Sequence, residues 1–193
     1  MVDHPLEQTN LMTLDEYVAL YEAEGPFELI NGERVPVNPT VSGHGEKSRI
    51  IHDEFAYYNR LHGTGISYFE QSYVLTYSAN WVKGAREPDV MVYRMERIQK
   101  YKADDPEWSD KPFLIVPDLV VEVISRNDRY VDVDTKVDLY LDDGVEIVWV
   151  VDPKQKTVTV RQRDSYKKLK VGDVLTGGSV IPGFELAVQA IFE

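Results

Sequence analysis

The chain has no cysteine among its 193 residues. That absence removes disulfide scaffolds, thiolate zinc sites, iron–sulfur clusters and thiol nucleophiles together, and it suits a reducing, cytoplasmic setting. Basic residues are scarce too: 21 Lys and Arg face 33 Asp and Glu, for a formal charge of -12. Phosphate affinity comes from Lys and Arg, so this balance argues against a general nucleic-acid coat and leaves a local site open. No stretch approaches the ~20 uninterrupted apolar residues of a membrane span, so no membrane partner is expected. The opening Met1-Val2-Asp3-His4-Pro5 lacks the basic and apolar regions of a secretory leader. HExxH, Walker, GxGxxG and serine-centred motifs are missing as well, which sets those enzyme classes aside. What is present is 43% apolar residues, enough for one core, with no repeat or low-complexity tract. A single domain over residues 1–193 is expected.

Thr13 caps a helix, with Glu16 completing a capping box and Leu14, Tyr17, Val18 and Tyr21 at helical spacing until Gly25-Pro26. Phe27-Glu28-Leu29-Ile30 and Glu33-Arg34-Val35-Pro36-Val37 flank Asn31-Gly32, the pair best suited to positive φ in a tight hairpin turn. Leu29 and Val35 are expected on the core face of that hairpin. From Ser42 or Gly43 a longer helix carries His44, Lys47/Ser48, Ile51, Phe55 and Tyr58 on one face as far as His62-Gly63. Residues 66–77 read as one aromatic and β-branched strand, Val82-Lys83-Gly84 as a turn, and residues 87–93 as the next strand. Residues 94–116 read as a loop with a short helical turn at Met95-Glu96-Arg97-Ile98. Residues 118–124 and 145–151 read as strands buried on both faces, with a helix over 132–143 between them. Shorter strands follow at 157–162, 166–169 and 184–188. The fold class is α/β or α+β, a central mixed sheet flanked by helices, with an N-terminal helix and hairpin.

The informative residues are charges placed where the pattern calls for burial. In Leu119-Val120-Val121-Glu122-Val123-Ile124, alternation puts Glu122 on the face of Val120 and Ile124. An ionised carboxylate there is costly unless it is paired, protonated or bound to a cation, so Glu122 is either a structural ion pair or part of a site. Asp89 follows Pro88 at the start of a strand, where a common turn aspartate and a site residue look alike. Glu28 sits between apolar residues in its hairpin, on either the solvent face or a functional one. Lys136 borders the apolar stripe of its helix, so it either snorkels to water or turns inward toward Glu122. Acids on neighbouring strands with one inward lysine are what phosphodiester hydrolysis needs. Carboxylates hold Mg²⁺ or Mn²⁺, the ion polarises phosphate and activates water, and the lysine orients that water or offsets developing charge.

These residues resemble a known pattern. Pro88-Asp89, a gap, and then Glu122-Val123-Ile124 look like the PD-(D/E)XK nuclease signature, with Ile124 where the lysine usually stands. The chain as a whole resembles the Uma-type restriction endonuclease family, a former domain-of-unknown-function group. The resemblance rests on Phe27-Glu28-Leu29-Ile30-Asn31-Gly32-Glu33, His44, Pro88-Asp89-Val90, Pro117-Asp118 with the run to Ser125, Lys136 with Tyr140, Gly144-Val145, Trp149-Val150-Val151-Asp152-Pro153 and Pro182-Gly183-Phe184. It implies a restriction-endonuclease-like core, a four-stranded mixed sheet with the acids at one end. It also implies that the lysine has moved to the following helix, as Lys136. By the same resemblance Asp89, Glu122 and the Val123 carbonyl would ligate the metal, and Glu28 would sit beside the site.

Two features stand apart from that set. His44 opens its helix and is a candidate phosphate contact, or else a partly buried histidine of its own turn. Residues 154–170 carry seven Lys and Arg against the lone Asp164, a local +6, with Thr157, Thr159, Arg161 and Arg163 alternating onto one face. This is either a backbone-contacting surface or a solvated edge that discourages aggregation. The expectation is a metal-dependent endonuclease acting on DNA, with a homodimer plausible for cutting two strands. The alternative is a non-catalytic nucleic-acid or protein interaction module that keeps the nuclease fold.

Overall fold

The computed structural model describes residues 12–37, 41–78, 81–126 and 128–193, so residues 1–5, read as lacking the marks of a secretory leader, lie outside the described residues. In chain order the elements are β1 (Met12–Thr13), α1 (Leu14–Glu24), β2 (Phe27–Ile30), β3 (Glu33–Pro36), α2 (Ser42–His62), β4 (Gly65–Phe69), β5 (Tyr73–Ser78), β6 (Trp81–Arg86), β7 (Val90–Arg94) and α3 (Met95–Asp104). Then come β8 (Leu119–Val123), α4 (Tyr130–Asp143), β9 (Ile147–Asp152), β10 (Thr157–Gln162), β11 (Ser165–Lys170), β12 (Val174–Thr176), β13 (Glu185–Ala187) and α5 (Val188–Phe192).

The central sheet is mixed and six-stranded, ordered β11-β10-β9-β8-β7-β4, two strands wider than the expected core. Only β8 and β9 run parallel, and α4 is the crossover that such a pair demands. Alternation along β8 sorts its side chains between two cores. Leu119, Val121 and Val123 join Ile51 and Phe55 of α2 and the fully buried Trp149 in one cluster. Val120 faces the other way, with Val137, Tyr140 and Leu141 of α4 and with Met91 and Tyr93. Each large side chain removed from water contributes roughly 1.5–3 kcal/mol, so this sandwich of helix, sheet and helix is what fixes β8 in the middle. Gly144 ends α4 at φ 108, where its amide and that of Val145 cap the last carbonyls.

A second sheet, β1-β6-β2-β3 with β5 also on β6, is packed with α1 around Tyr17, Phe27, Leu29, Val74, Val82 and Ala85. The Thr13 capping box and the Asn31-Gly32 turn form as expected, with φ 52 and 81 at the two turn residues. A small third sheet pairs β12 with β13. Among the described residues no helix is long and apolar enough to cross a membrane.

Four local readings change. Residues 66–77 are not one strand: the chain breaks near Glu70, at φ 49, and β4 and β5 belong to different sheets. Val82-Lys83-Gly84 lies within β6 rather than in a turn. A Cβ on Gly84 would stand 3.0 Å from the Arg86 guanidinium and 3.2 Å from the Leu29 carbonyl, so the glycine serves close approach. Residues 95–104 form a ten-residue helix that buries Ile98, where a loop with one turn was expected. Val35 pairs directly with Glu28 and is 41% exposed, so it shares the face of Glu28 and not the core face of Leu29.

Candidate active site

Glu122 is the next-to-last residue of β8 and points to the α4 side of the sheet, as alternation requires. The parallel crossover lays α4 over that face, which brings Lys136 inward: its Nζ lies 3.0 Å from Glu122 Oε1 and 3.3 Å from Glu28 Oε1. Lys136 does not snorkel to bulk water. One turn further along α4, the Tyr140 hydroxyl donates to the same Glu122 oxygen. Glu28 arrives from the second sheet. It is only 6% exposed, and its Oε1 accepts the Glu87 backbone amide at 3.0 Å. The solvent-face reading of Glu28 is therefore wrong, because Lys136 of α4 and the Glu87 amide close over its carboxylate, although Val35 on the same face stays exposed.

Asp89 precedes β7, in the bend after Pro88. Its Oδ2 accepts the Val123 amide at 2.6 Å, so the end of β8 holds it, and His44 Nε2 lies 3.2 Å from the same oxygen. His44 reaches it from the first turn of α2, where Ser48 Oγ donates to the His44 carbonyl at 3.2 Å. All four charged residues singled out in the sequence, with His44 and Val123, thus converge at the C-terminal end of β8.

The electrostatics follow from three acids sharing one lysine. Burial raises the Glu122 carboxyl, Lys136 opposes this, and the charges of Asp89 and Glu28 add to it, leaving the group at about 7. Burial alone would lower Lys136, but Glu122, Glu28 and Asp89 outweigh it and hold the ammonium above its ordinary range. Lys136 is the fixed cation here, and Glu122 is the member whose charge is costly. For His44, burial again acts downward, while the hydrogen bond and charge of Asp89, the Val123 backbone and Glu122 raise it overall.

The donor chemistry fits a hard divalent cation. Both partners of Glu122 converge on Oε1 and both partners of Asp89 on Oδ2. Each carboxylate is thereby oriented through one oxygen while the other is left for a ligand. Among the described residues no three His, Asp or Glu side chains gather closely enough to cage an ion by themselves. Mg²⁺ is commonly held by one or two carboxylates and completes its shell with water and phosphate oxygens.

Sequence reasoning missed the partners that orient this set. Tyr140 entered beside Lys136 among the residues that carry the resemblance but was given no role, although its place four residues after Lys136 puts the two on one helical face. Glu87 contributes its amide to Glu28 and its carboxylate to Tyr21, whose hydroxyl lies 2.9 Å away. Neither contact leaves a local sequence signal, because both link segments about sixty residues apart.

A mixed sheet with Asp and Glu at the end of two central strands, and a lysine alongside, defines the restriction-endonuclease-like class of PD-(D/E)XK folds. The family model of Uma2, described as "Putative restriction endonuclease", matches residues 14–189, and the chain belongs to that family. A crystal structure of a "putative nuclease belonging to DUF820" from Anabaena variabilis ATCC 29413 has the same fold, with a TM-score of 0.75 and 20% identity. The match covers 94% of this chain and 97% of that one. No curated protein matches the chain significantly.

Proposed function

We propose that this protein is an endonuclease that uses Mg²⁺ or Mn²⁺ to hydrolyse DNA phosphodiester bonds. The observation that carries the reading is the Lys136 ammonium lodged between Glu122 and Glu28, beside an Asp89 carboxylate clamped by His44 and the Val123 amide. A structural descendant without chemistry has no use for three acids and one lysine at the end of a buried strand. Asp89 and Glu122, with the Val123 carbonyl, would hold the cation. When bound, it supplies a Lewis acid that polarises the phosphate and makes its water more acidic.

The chain's own residues do the rest. Lys136 faces the phosphate as a fixed positive charge that orients water and offsets charge developing on the phosphate oxygens. Glu28 and Tyr140 keep Lys136 and Glu122 in register, so the ammonium cannot swing to solvent. His44 positions Asp89, and its place at the start of α2 also makes it a candidate phosphate contact. Water adds to phosphorus and one P–O ester bond breaks, leaving a phosphomonoester and a hydroxyl.

The test is incubation of supercoiled, linear and single-stranded DNA with the wild type, Asp89→Ala, Glu122→Gln and Lys136→Ala, with and without each metal. The expected result is metal-dependent cleavage reduced about 100-fold or more by each substitution. Cleavage that survives all three, or that proceeds in EDTA, removes the assigned roles. Binding with no cleavage under any metal would favour the interaction-module alternative.

A further inference from the structure

The catalytic cluster uses one flank of α4, and the opposite flank borders a groove that the cluster leaves unused. Its floor is the same sheet face that carries Glu122. Register aligns Glu122 with Val150, Val150 with Thr159 and Thr159 with Lys168, in one row across four strands. Thr157 and Arg161 flank this row on the same face. The groove lies between the start of α4 and the β10–β11 hairpin and encloses about 340 Å³, within the roughly 300–1,000 Å³ typical of small-ligand sites. A larger hollow of about 700 Å³ adjoins it through Tyr130, Asp152 and Ile124, which lies two residues past Glu122 and just beyond β8, and is edged by Arg126 and Lys154.

The lining has a specific chemical character. Tyr130 and Tyr166 stand on opposite walls and are 52% and 62% exposed, although each has a ring that burial would favour. Tyr130 is fixed: its hydroxyl donates to Asp152 at 2.8 Å and accepts from Gln155 Nε2 at 3.0 Å. Lys168 Nζ donates to Gln155 Oε1 at 2.7 Å, which completes a polar relay across the groove. Asp152, buried at 5% exposure, is satisfied by Tyr130 and by the Gln155 amide. Arg161 is neutralised by Asp134 and Asp138, whereas Lys154 and Lys168 enter no ion pair among the described residues. Two exposed aromatic faces, a floor with Thr hydroxyls and an amide, and unpaired ammonium groups at the rim match the three parts of a nucleotide: base, sugar edges and phosphate. A duplex is far too wide to enter.

We propose that this groove seats an unpaired nucleotide, one belonging to the strand whose phosphate lies at Glu122 and Lys136, with its base against Tyr166 and Tyr130 and its phosphate near Lys168 or Lys154. The proposal rests on the nuclease reading for the identity of that strand, and a free mononucleotide shares the same chemistry. It makes single-stranded or frayed DNA the preferred substrate, and it gives the local +6 of residues 154–170 a use that the overall charge of -12 hides.

The experiment is fluorescence anisotropy in EDTA with a labelled dT12 strand, a 12-base-pair duplex and dTMP as competitor. It compares wild type, Tyr166→Ala, Lys168→Ala and the conservative Tyr166→Phe. Both alanine sites are exposed, so folding is retained, and circular dichroism checks this. Loss of a base stack is expected to weaken dT12 binding about 5- to 100-fold in Tyr166→Ala, with Tyr166→Phe near wild type and duplex binding unchanged. A dT12 strand carrying 5-iodouracil should crosslink to Tyr130 or Tyr166. Loss of dTMP binding alone in Tyr166→Ala, with dT12 unaffected, would support the groove as a site for free nucleotide. Unchanged affinity for dT12 and dTMP in both alanine variants, with crosslinks elsewhere, overturns the proposal. Absence of cleavage together with Tyr166-dependent binding would remove the nuclease reading and leave the groove standing. Cleavage of single strands that ignores Tyr166 and Lys168 would do the reverse.

Discussion

Glu122 carries the largest conflict in the molecule between folding and chemistry. Its carboxylate is held at 13% side-chain exposure, with Asp89 and Glu28 as like-charged neighbours, and Lys136 and the Tyr140 hydroxyl oppose the crowding. In metal-free protein near neutral pH, Glu122→Gln keeps an oxygen for Tyr140 and Lys136 while removing one negative charge. It should therefore stabilise the fold by about 1 kcal/mol, a rise of roughly 2–4 °C in Tm for a chain of this length. Lys136→Met removes the one cation and should act in the other direction. A fully buried pair broken this way costs ~3–5 kcal/mol, and with Lys136 a quarter exposed about 2 kcal/mol is expected, or roughly 4–8 °C. Calorimetry of both variants in EDTA tests this, and shifts of the same sign would mean that the acids are not the source of strain. The position of Glu122 was legible because a single acid in a two-face apolar strand has few innocent explanations. That of Asp89 was not, since an aspartate after proline at a strand start is ordinary turn chemistry, and what distinguishes it is the Val123 amide across the ladder and His44 from α2.

Elements whose limits are written in local residues were the ones the sequence predicted well. The Thr13 capping box, the Asn31-Gly32 turn and the Gly63 and Gly144 stops each act within four residues of themselves. The failures occur where a distant partner decides. Whether residues 66–77 form one strand or two depends on β6 and β7 offering edges in separate sheets, and Gly84 looks like a turn until Arg86 is placed over it. Arg86 is also the joint between these elements. Buried at 5% exposure, it donates to the Leu29 carbonyl at 2.7 Å, and its Nη2 donates to Asp143 Oδ1 at 3.3 Å. Its Nε lies 3.1 Å from Asp143 Oδ2, close enough for charge pairing but out of hydrogen-bond alignment. Tyr73 donates to the same carboxylate at 2.9 Å. This clamp ties the last turn of α4 to the second sheet, the two supports that carry Lys136 and Glu28. Arg86→Met should cost about 3 kcal/mol in urea denaturation by stranding Asp143, and Asp143→Asn a similar amount. The double variant should lose clearly less than the sum, a positive coupling that a cycle of all four proteins measures. Strict additivity would show that the clamp contributes packing alone.

At the scale of the whole molecule, buried aromatic content shapes the alkaline end of the pH range. The chain has 12 tyrosines, and four of them, Tyr57, Tyr77, Tyr130 and Tyr166, are more than half exposed. Four are essentially inaccessible, Tyr17, Tyr73, Tyr93 and Tyr140, and burial raises each phenol: Tyr17 to about 12, the other three well above the ordinary value of 10.0. Around Tyr17, Glu87 and Glu28 reinforce the shift; around Tyr73, Asp143 reinforces it and Arg86 opposes it. Around Tyr93, Tyr101, Tyr68 and Asp118 reinforce it and Arg97 opposes it. Above pH 10 the unfolded chain gives up these protons while the folded chain keeps them, so the native state binds more protons and stability falls as pH rises. The contribution is complete below pH 10 and is lost from there toward each folded value, at up to about 1.4 kcal/mol per pH unit for each phenol. Urea midpoints measured at pH 9, 10 and 11 should therefore hold steady over the first step and drop sharply over the second. Phenolate absorbance at 295 nm should show the buried tyrosines ionising only together with loss of the far-ultraviolet circular dichroism signal. Ionisation of the buried tyrosines with secondary structure intact would mean that these hydroxyls reach water in the native protein, and that the α4-side core and the core under α1 are open to solvent.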